Sequence, residues 1–466
     1  MNQNRNMFPY KILPLAVTLV LGGFSGTAAA AGFALIEQSV SGMGNAFAGG
    51  AAAVDDASVQ FFNPAAITEL KGTQFSVAAH SVMPSPKLTD ASARETTLGN
   101  IPYTTPGAAE DGGVNAIVPN LYFVSDINPQ TKFGLGISVP FGLSTDYSND
   151  WIGRYHGIKS SVETININPV LAFKLNDQVS LGGGISAQHI SAELTSAIDS
   201  GAICYAQVLR AGGNPAVSCA PAGLTPGNNA TDSYAKIKGD DWGYGFNLGL
   251  LYKPMDGTRI GVAYRSPVKQ SIEGDATFTR SAAFNAFLTG AGSTLFTNTS
   301  DNADLDLPAT LSVSAAHALS TQLELMGDIT WTQWNKFKEL RVKYGNPAQP
   351  DSVTTENWRN TLRYSAGLSY KLDDRMKLRG GVAYDQTPVP DDEHRTVRLP
   401  DNNRTWLALG MTYAASNQLS FDVGYAHLFL KDSHINNTTE AAVAQNLQGT
   451  YKNNIDILSA QLNYMF

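Results

Sequence analysis

Side chains alternate between apolar and polar at every other residue, in segment after segment, and no other feature of the chain restricts its fold so strongly. In residues 458–466, Leu458, Ala460, Leu462, Tyr464 and Phe466 fall on one side of an extended chain, with Ser459, Gln461 and Asn463 on the other. The pattern recurs at Leu419, Phe421, Val423, Tyr425 and Phe429, at Leu407, Leu409, Met411 and Tyr413, and at Val179, Leu181, Gly183, Ile185 and Ala187. A period of two belongs to strands, whose successive side chains point to opposite faces. Between Leu362, Tyr364, Ala366, Leu368, Tyr370 and Leu372 stand Arg363 and Lys371. A soluble sandwich cannot bury such charges, whereas a watery lumen tolerates them.

The connections alternate in length. Leu175-Asn176-Asp177, Pro254-Met255-Asp256-Gly257, Leu372-Asp373-Asp374 and Ala415-Ser416-Asn417 are short turns, while 83–113, 195–233, 277–304 and 431–452 are long and polar. Short turns at one end and long loops at the other are the asymmetry of a bacterial outer-membrane barrel. The expected fold is therefore all-β, a transmembrane antiparallel β-barrel of about fourteen strands. The terminal Phe466 resembles the signal read by the outer-membrane barrel assembly machinery, an expected partner.

The first residues agree with that compartment. Arg5 and Lys11 precede an apolar run from Ile12 to Phe24, broken by Pro14, and Ala28-Ala29-Ala30 offers a cleavage site. Residues 1–30 read as a signal peptide with the mature chain starting at Ala31, because the run is shorter than the roughly 18 to 20 residues of a spanning helix. A formal net charge of −8 argues against nucleic acid as a partner. Cys204 and Cys219 lie in a Gly/Pro/Ala/Asn-rich stretch without flanking histidines, which favours a loop disulfide over zinc.

Residues 32–70 break the rhythm. Ser41 to Asp56 is small and glycine-rich, and Phe61-Phe62-Asn63-Pro64-Ala65-Ala66-Ile67 contains an Asn-Pro turn. Gly42 and Gly44 open a G-x-G pattern, but Phe47 occupies the place of the third small residue and no apolar strand precedes it, so a nucleotide loop is rejected.

Ala31-Gly32-Phe33, the run from Ser41 to Gly49, Asp55-Asp56-Ala57-Ser58 and Asn63-Pro64-Ala65-Ala66 resemble the N-terminal hatch of the FadL family of outer-membrane hydrophobic-compound transporters. Further likeness lies in Pro140-Phe141-Gly142, in Trp151-Ile152-Gly153-Arg154-Tyr155, in Leu307-Pro308-Ala309, and in Pro400-Asp401 followed by Arg404, Trp406 and Gly410. It covers essentially the whole mature chain. The resemblance implies a barrel over residues 71–466 plugged by residues 31–70, with Gly42, Gly44, Asn63, Pro64 and Ala65 in the plug. It also implies a monomer, a ligand groove among the outer loops, a deeper pocket, and release sideways through a kink in the third strand, here Thr131 to Pro140. Gly134, Gly136 and Pro140 are candidates for that distortion, since both residue types weaken ladder pairing; equally, the glycines could relieve crowding inside the barrel.

A long-chain fatty acid needs an apolar wall, worth roughly 0.8 kcal/mol per buried methylene, and a cationic group for its carboxylate. Apolar candidates are Phe33, Leu35, Phe284, Phe287, Leu288, Leu295 and Phe296; Phe284, Phe287 and Leu288 have the spacing of a short helix. For the head group, Arg404 matches a family position after Pro-Asp where a basic residue is associated with ligand. Arg154, His156, Lys159 and Arg363 are the other candidates, each weighed against pairing with a carboxylate.

Other functions fit less well. There is no G-x-S-x-G or H-E-x-x-H motif, which leaves only a barrel lipase with a dispersed triad among enzymes. Asp301, Asp304 and Asp306, and Asp391-Asp392-Glu393, lack calcium-loop spacing and read as solvated loop faces, so no metal or cofactor is expected. A general porin needs an open channel, against which the hatch argues. An aromatic hydrocarbon is the closest rival ligand because it wants the same lining; it needs no cation. Outer-membrane lipid and lipopolysaccharide complete the expected partners.

Overall fold

The computed structural model describes residues 32–96 and 103–466; the expected signal peptide and Ala31 lie outside the described residues. One antiparallel sheet closes on itself as a barrel of fourteen strands. These are β1 (Gln74–Glu95), β2 (Ala116–Asn128), β3 (Thr131–Ser138, resuming as Gly142–Asp146), β4 (Lys159–Lys174), β5 (Val179–Ile198), β6 (Ser233–Tyr252) and β7 (Thr258–Arg265, resuming as Val268–Thr279). The circuit continues through β8 (Thr299–Leu307, resuming as Thr310–Ala318), β9 (Leu323–Thr332), β10 (Thr361–Lys371), β11 (Met376–Asp385), β12 (Arg404–Ala414), β13 (Leu419–Leu430) and β14 (Gln445–Met465). Pairing of β14 with β1, from Gln74↔Met465 to Glu95↔Gln445, closes the cylinder.

The alternation is legible on its outer wall. Along β6, Trp242, Tyr244, Phe246 and Leu248 stand 45–74% exposed, while Gly243, Gly245 and Asn247 turn inward. An exposed apolar band encircling the molecule is stable only in lipid. Among the described residues no helix is long and apolar enough to cross a membrane, so strands do the crossing. The segments 83–113 and 431–452 prove not to be wholly loops. β1 and β14 climb together well above the apolar band, with Leu88, Leu447 and Tyr451 buried inward and polar residues outward.

The lumen holds protein against polar wall residues that the alternation alone assigned to water. Residues 32–70 lie inside it as α1 (Val40–Met43), a 3-10 turn at Gly50–Ala52, α2 (Val59–Phe62) and a 3-10 helix at Pro64–Glu69. Asn63 starts the last of these, its side chain accepting from Ala65 N at 2.9 Å while Pro64 fills the first helical position, where no N–H is needed. Polar wall residues are spent on this segment's backbone. Gln461 accepts from Val40 N (3.0 Å), Ser314 accepts from Ala51 N (2.9 Å), and Arg259, Arg265 and Arg363 donate to the carbonyls of Ala52, Phe61 and Ala46 (2.8–2.9 Å). Asp55 pairs with Lys377 (2.7 Å) and Arg379 (3.2 Å). Lys371, by contrast, lies at the turn end and pairs with Asp374.

Wall glycines make the fit possible. A Cβ at Gly381 would stand 2.1 Å from Asn45 O, one at Gly261 1.9 Å from Ala51 O, and one at Gly410 2.7 Å from the Cα of Gly44. Only glycine lets the two backbones come this close.

The outer loops carry their own core. A disulfide joins Cys204 on α3 (Ser200–Arg210) to Cys219 at the end of α4 (Pro215–Ser218), and α5 (Ala282–Gly290) packs Phe284 and Leu288 against both cysteines and Leu224. Ser281 caps α5 by accepting from Phe284 N. Closing a 15-residue separation removes about 3 kcal/mol of chain entropy from the unfolded loop. Replacing both cysteines with serine is expected to make residues 199–232 susceptible to limited proteolysis while the barrel keeps its thermal transition. A loop as resistant as the native one would remove the disulfide from this account.

Candidate functional site

The third strand is interrupted. β3 pairs with β2 up to Leu121↔Ile137, then Val139, Pro140 and Phe141 leave the ladder, and the strand resumes at Gly142 against β4, with a single bridge from Thr145 to Gly113 on its other flank. Proline has no N–H to give, and the break falls around it. The start of the hatch supplies the missing partners. Leu35 N donates to Pro140 O (2.8 Å), Gly142 N donates to Phe33 O (2.9 Å), and the Gln38 side chain donates to Val139 O (2.7 Å). From β2, Asn120 donates to Glu37 O (2.9 Å). Pro140 thus sits at the distortion, but Gly134 and Gly136 do not. Both lie in regular ladder, opposite Val124 and Tyr122, and a Cβ at Gly134 would meet Gln60 Oε1 at 2.4 Å. Of the two readings of these glycines, the structure supports relief of crowding.

Behind the break lies a cavity of about 150 Å³ lined by Leu35, Ile36, Phe47, Phe62, Phe141 and Trp334, together with Arg265, Arg363, Asp328 and Asp385. Phe33 heads an aromatic cluster, with ring centroids 4.9 Å from Trp334, 5.7 Å from Trp358, 5.9 Å from Phe141 and 6.1 Å from Phe337. Among the loops is a larger cavity of about 900 Å³. Its lining mixes Ile203, Ala206, Leu295 and Phe296 with Asn436, Thr438, His156 and Arg398.

Arg398 is the cation that sequence reasoning missed. It lies in the loop between β11 and β12, and its hydrogen bonds go to Ser160 Oγ (2.9 Å) and the carbonyls of Lys159 and Thr195 (3.3 Å each). Among the described residues no carboxylate lies within 4.0 Å of it. Burial draws its pKa down to about 10, so it stays charged at neutral pH. The nearby acid, Glu356, is buried under Trp358, whose Nε1 donates to it at 2.7 Å; burial pushes its pKa up to about 8, leaving it largely neutral at pH 7.

The sequence candidates are distributed differently from expectation. Arg404 is buried in an ion cluster, 2.6 Å from Asp401 and 4.0 Å from Asp385, and borders a small side cavity of about 40 Å³ rather than either larger one. Arg154 is corrected from ligand contact to loop clamp. It is fully buried, paired with Asp232 at 2.7 Å, and donates to Tyr155 and to the carbonyls of Pro106 and Gly227. Lys159 pairs with Glu193. Phe284, Phe287 and Leu288 form the predicted helix, yet they pack on the disulfide and do not line the cavity; Leu295 and Phe296 reach it. Leu35 and Arg363 line the inner cavity, and His156 the outer one. Gly42 and Gly44 lie in the hatch, the first against the Phe47 ring.

A model of the family described as outer membrane protein transport protein (OMPP1/FadL/TodX) matches residues 22–466. A long-chain fatty acid transport protein of Escherichia coli O6:H1 is 33% identical over 431 residues, covering 91% of this chain and 92% of that protein. A 47 kDa outer membrane protein of Pasteurella multocida is 33% identical over 424 residues, covering 90% and 91%. The crystal structure of a Pseudomonas aeruginosa FadL homologue superposes with a TM-score of 0.83 at 26% identity, covering 94% of this chain and all of that one. The Pseudomonas putida toluene transporter TodX shares the fold, with a TM-score of 0.64 at 17% identity over 93% of this chain and 99% of that one. With residues 22–466 matched and its barrel closed around residues 32–70, this chain belongs to the OMPP1/FadL/TodX family of outer-membrane transporters of hydrophobic compounds.

Proposed function

We propose that the protein takes up long-chain fatty acids by passive diffusion and releases them sideways into the outer membrane through the break in β3. The observation that carries the reading is Arg398, a charged group with no carboxylate partner among the described residues, facing the outer cavity. A fatty acid brings that partner. Its acyl chain then lies toward the aromatic cluster around Phe33, and movement of the Phe33–Gln38 segment opens the inner cavity and the gap beside Pro140. The named function of the Escherichia coli relative supports the same ligand class.

A second reading, uptake of aromatic hydrocarbons, is favoured by the packed Phe33, Trp334, Phe337 and Trp358 rings, of which Trp334 borders the inner cavity. Uptake of labelled oleate by cells with and without the gene, with toluene as competitor, separates the two. Oleate entry that does not depend on the gene would overturn the fatty-acid reading.

The Glu356 carboxyl sets a pH dependence. Below about pH 8 it is neutral and leaves Arg398 to the ligand; above that it ionises beside Arg398 and competes with the ligand carboxylate. Oleate affinity is therefore expected to fall as pH rises through about 8, and Glu356→Gln to flatten the profile. A native profile that is already flat from pH 6 to 9, where oleate itself is ionised, would remove Glu356 from the site.

A further inference from the structure

The outward face of the closing seam carries three lysines that uptake does not use. Lys87 of β1 stands directly opposite Lys452 of β14 in the antiparallel ladder. Lys431, just past the end of β13, falls beside Lys452 on the other flank when the pairing Phe429↔Asn454 is carried two residues further. All three are exposed, and among the described residues none forms an ion pair.

Like charges placed opposite one another in a ladder repel, so this arrangement disfavours the isolated barrel. Two acids that flank them are engaged elsewhere. Asp111, bridged to Lys87 through the backbone, accepts from Ser85 Oγ and Gly113 N, and Asp456 accepts from Tyr425 and faces His427. Lys159 and Lys236, by contrast, both sit 3.1 Å from Glu193.

Height identifies the partner. Lys431 comes two residues beyond Phe429, which is 54% exposed at the upper edge of the apolar band, on the side of the long loops. Lys452 likewise lies above Leu458 and Asp456 on β14. That is the level of the outer-leaflet headgroups, and lysines at such a level are drawn to anionic lipid. We propose that Lys87, Lys431 and Lys452 form a binding site for a phosphate-bearing headgroup of lipopolysaccharide, the outer-leaflet glycolipid.

The test uses the full chain in detergent, titrated with lipopolysaccharide, with the same glycolipid after phosphatase treatment, and with inorganic phosphate. The triple variant Lys87→Gln/Lys431→Gln/Lys452→Gln is expected to bind the phosphorylated glycolipid at least about tenfold more weakly than the native chain. Phosphatase treatment should weaken native binding to the same degree, and millimolar phosphate should not displace the lipid. Lys159→Gln/Lys236→Gln removes two charges already paired with Glu193 and should leave affinity unchanged. Equal affinity in the triple variant, equal affinity for the dephosphorylated lipid, or equal loss in the control pair would each overturn the proposal. Oleate uptake does not enter these readouts, so the outcome is independent of the ligand assigned to the lumen.

Discussion

Replacing Gly381 with valine is expected to turn a closed barrel into an ion-conducting one. The new Cβ would stand 2.1 Å from the carbonyl oxygen and 2.2 Å from the carbonyl carbon of Asn45, and neither atom belongs to a side chain that can rotate away. One of the two backbones must yield. β11 is paired with β10 and β12 along its length, whereas residues 32–70 are held by dispersed hydrogen bonds from wall side chains, each worth roughly 0.5–1.5 kcal/mol net. The hatch is the part that moves. Single-channel recording in planar bilayers should find steps with the valine variant and none with the native chain, and deletion of residues 32–50 should reproduce them. Gly380→Val is the control: on the lipid-facing side of the same strand, its Cβ meets only Leu409 Cδ2, at 3.8 Å. An electrically silent Gly381→Val barrel that still folds would count against residues 32–70 acting as a stopper.

Arg398→Gln is expected to separate fatty acids from hydrocarbons. A charge-assisted hydrogen bond is worth about 1.5–3 kcal/mol, so oleate affinity should drop by about 10- to 100-fold. Toluene, which makes no such bond, should enter as before. Arg404→Gln should behave otherwise. It strands Asp401 and Asp385 in a buried cluster and should lower the yield of folded barrel without altering the preference among ligands. Equal loss of oleate and toluene in the Arg398 variant would make that residue structural too.

The architecture could be read from the chain because lipid is an unforgiving solvent. Every second residue from Leu419 to Tyr425 is apolar, and that regularity survives without knowing any contact. The compact character of residues 32–70 was visible for a related reason, as small side chains are needed where the hatch meets wall glycines such as Gly410. What the pattern could not say is which polar residues face water and which face another part of the chain. Gln461, Ser314 and Arg363 look like lumen residues in both cases. The same blindness led to Arg404 and Arg154 in place of Arg398. All three are loop or loop-edge arginines, and only folding decides which ones meet Asp401 or Asp232 and which one meets none. An arginine flanked by Val397 and Leu399 was the available hint.

If cargo leaves through the break in β3 as proposed, the bonds that Leu35, Gly142 and Gln38 make there also set how long the opening lasts. On the proposed route, withdrawal of residues 33–38 leaves the oxygens of Val139 and Pro140 and the amide of Gly142 without these partners, and a buried polar group left unpaired is costly. On that route, re-forming these bonds favours closure once the cargo has passed.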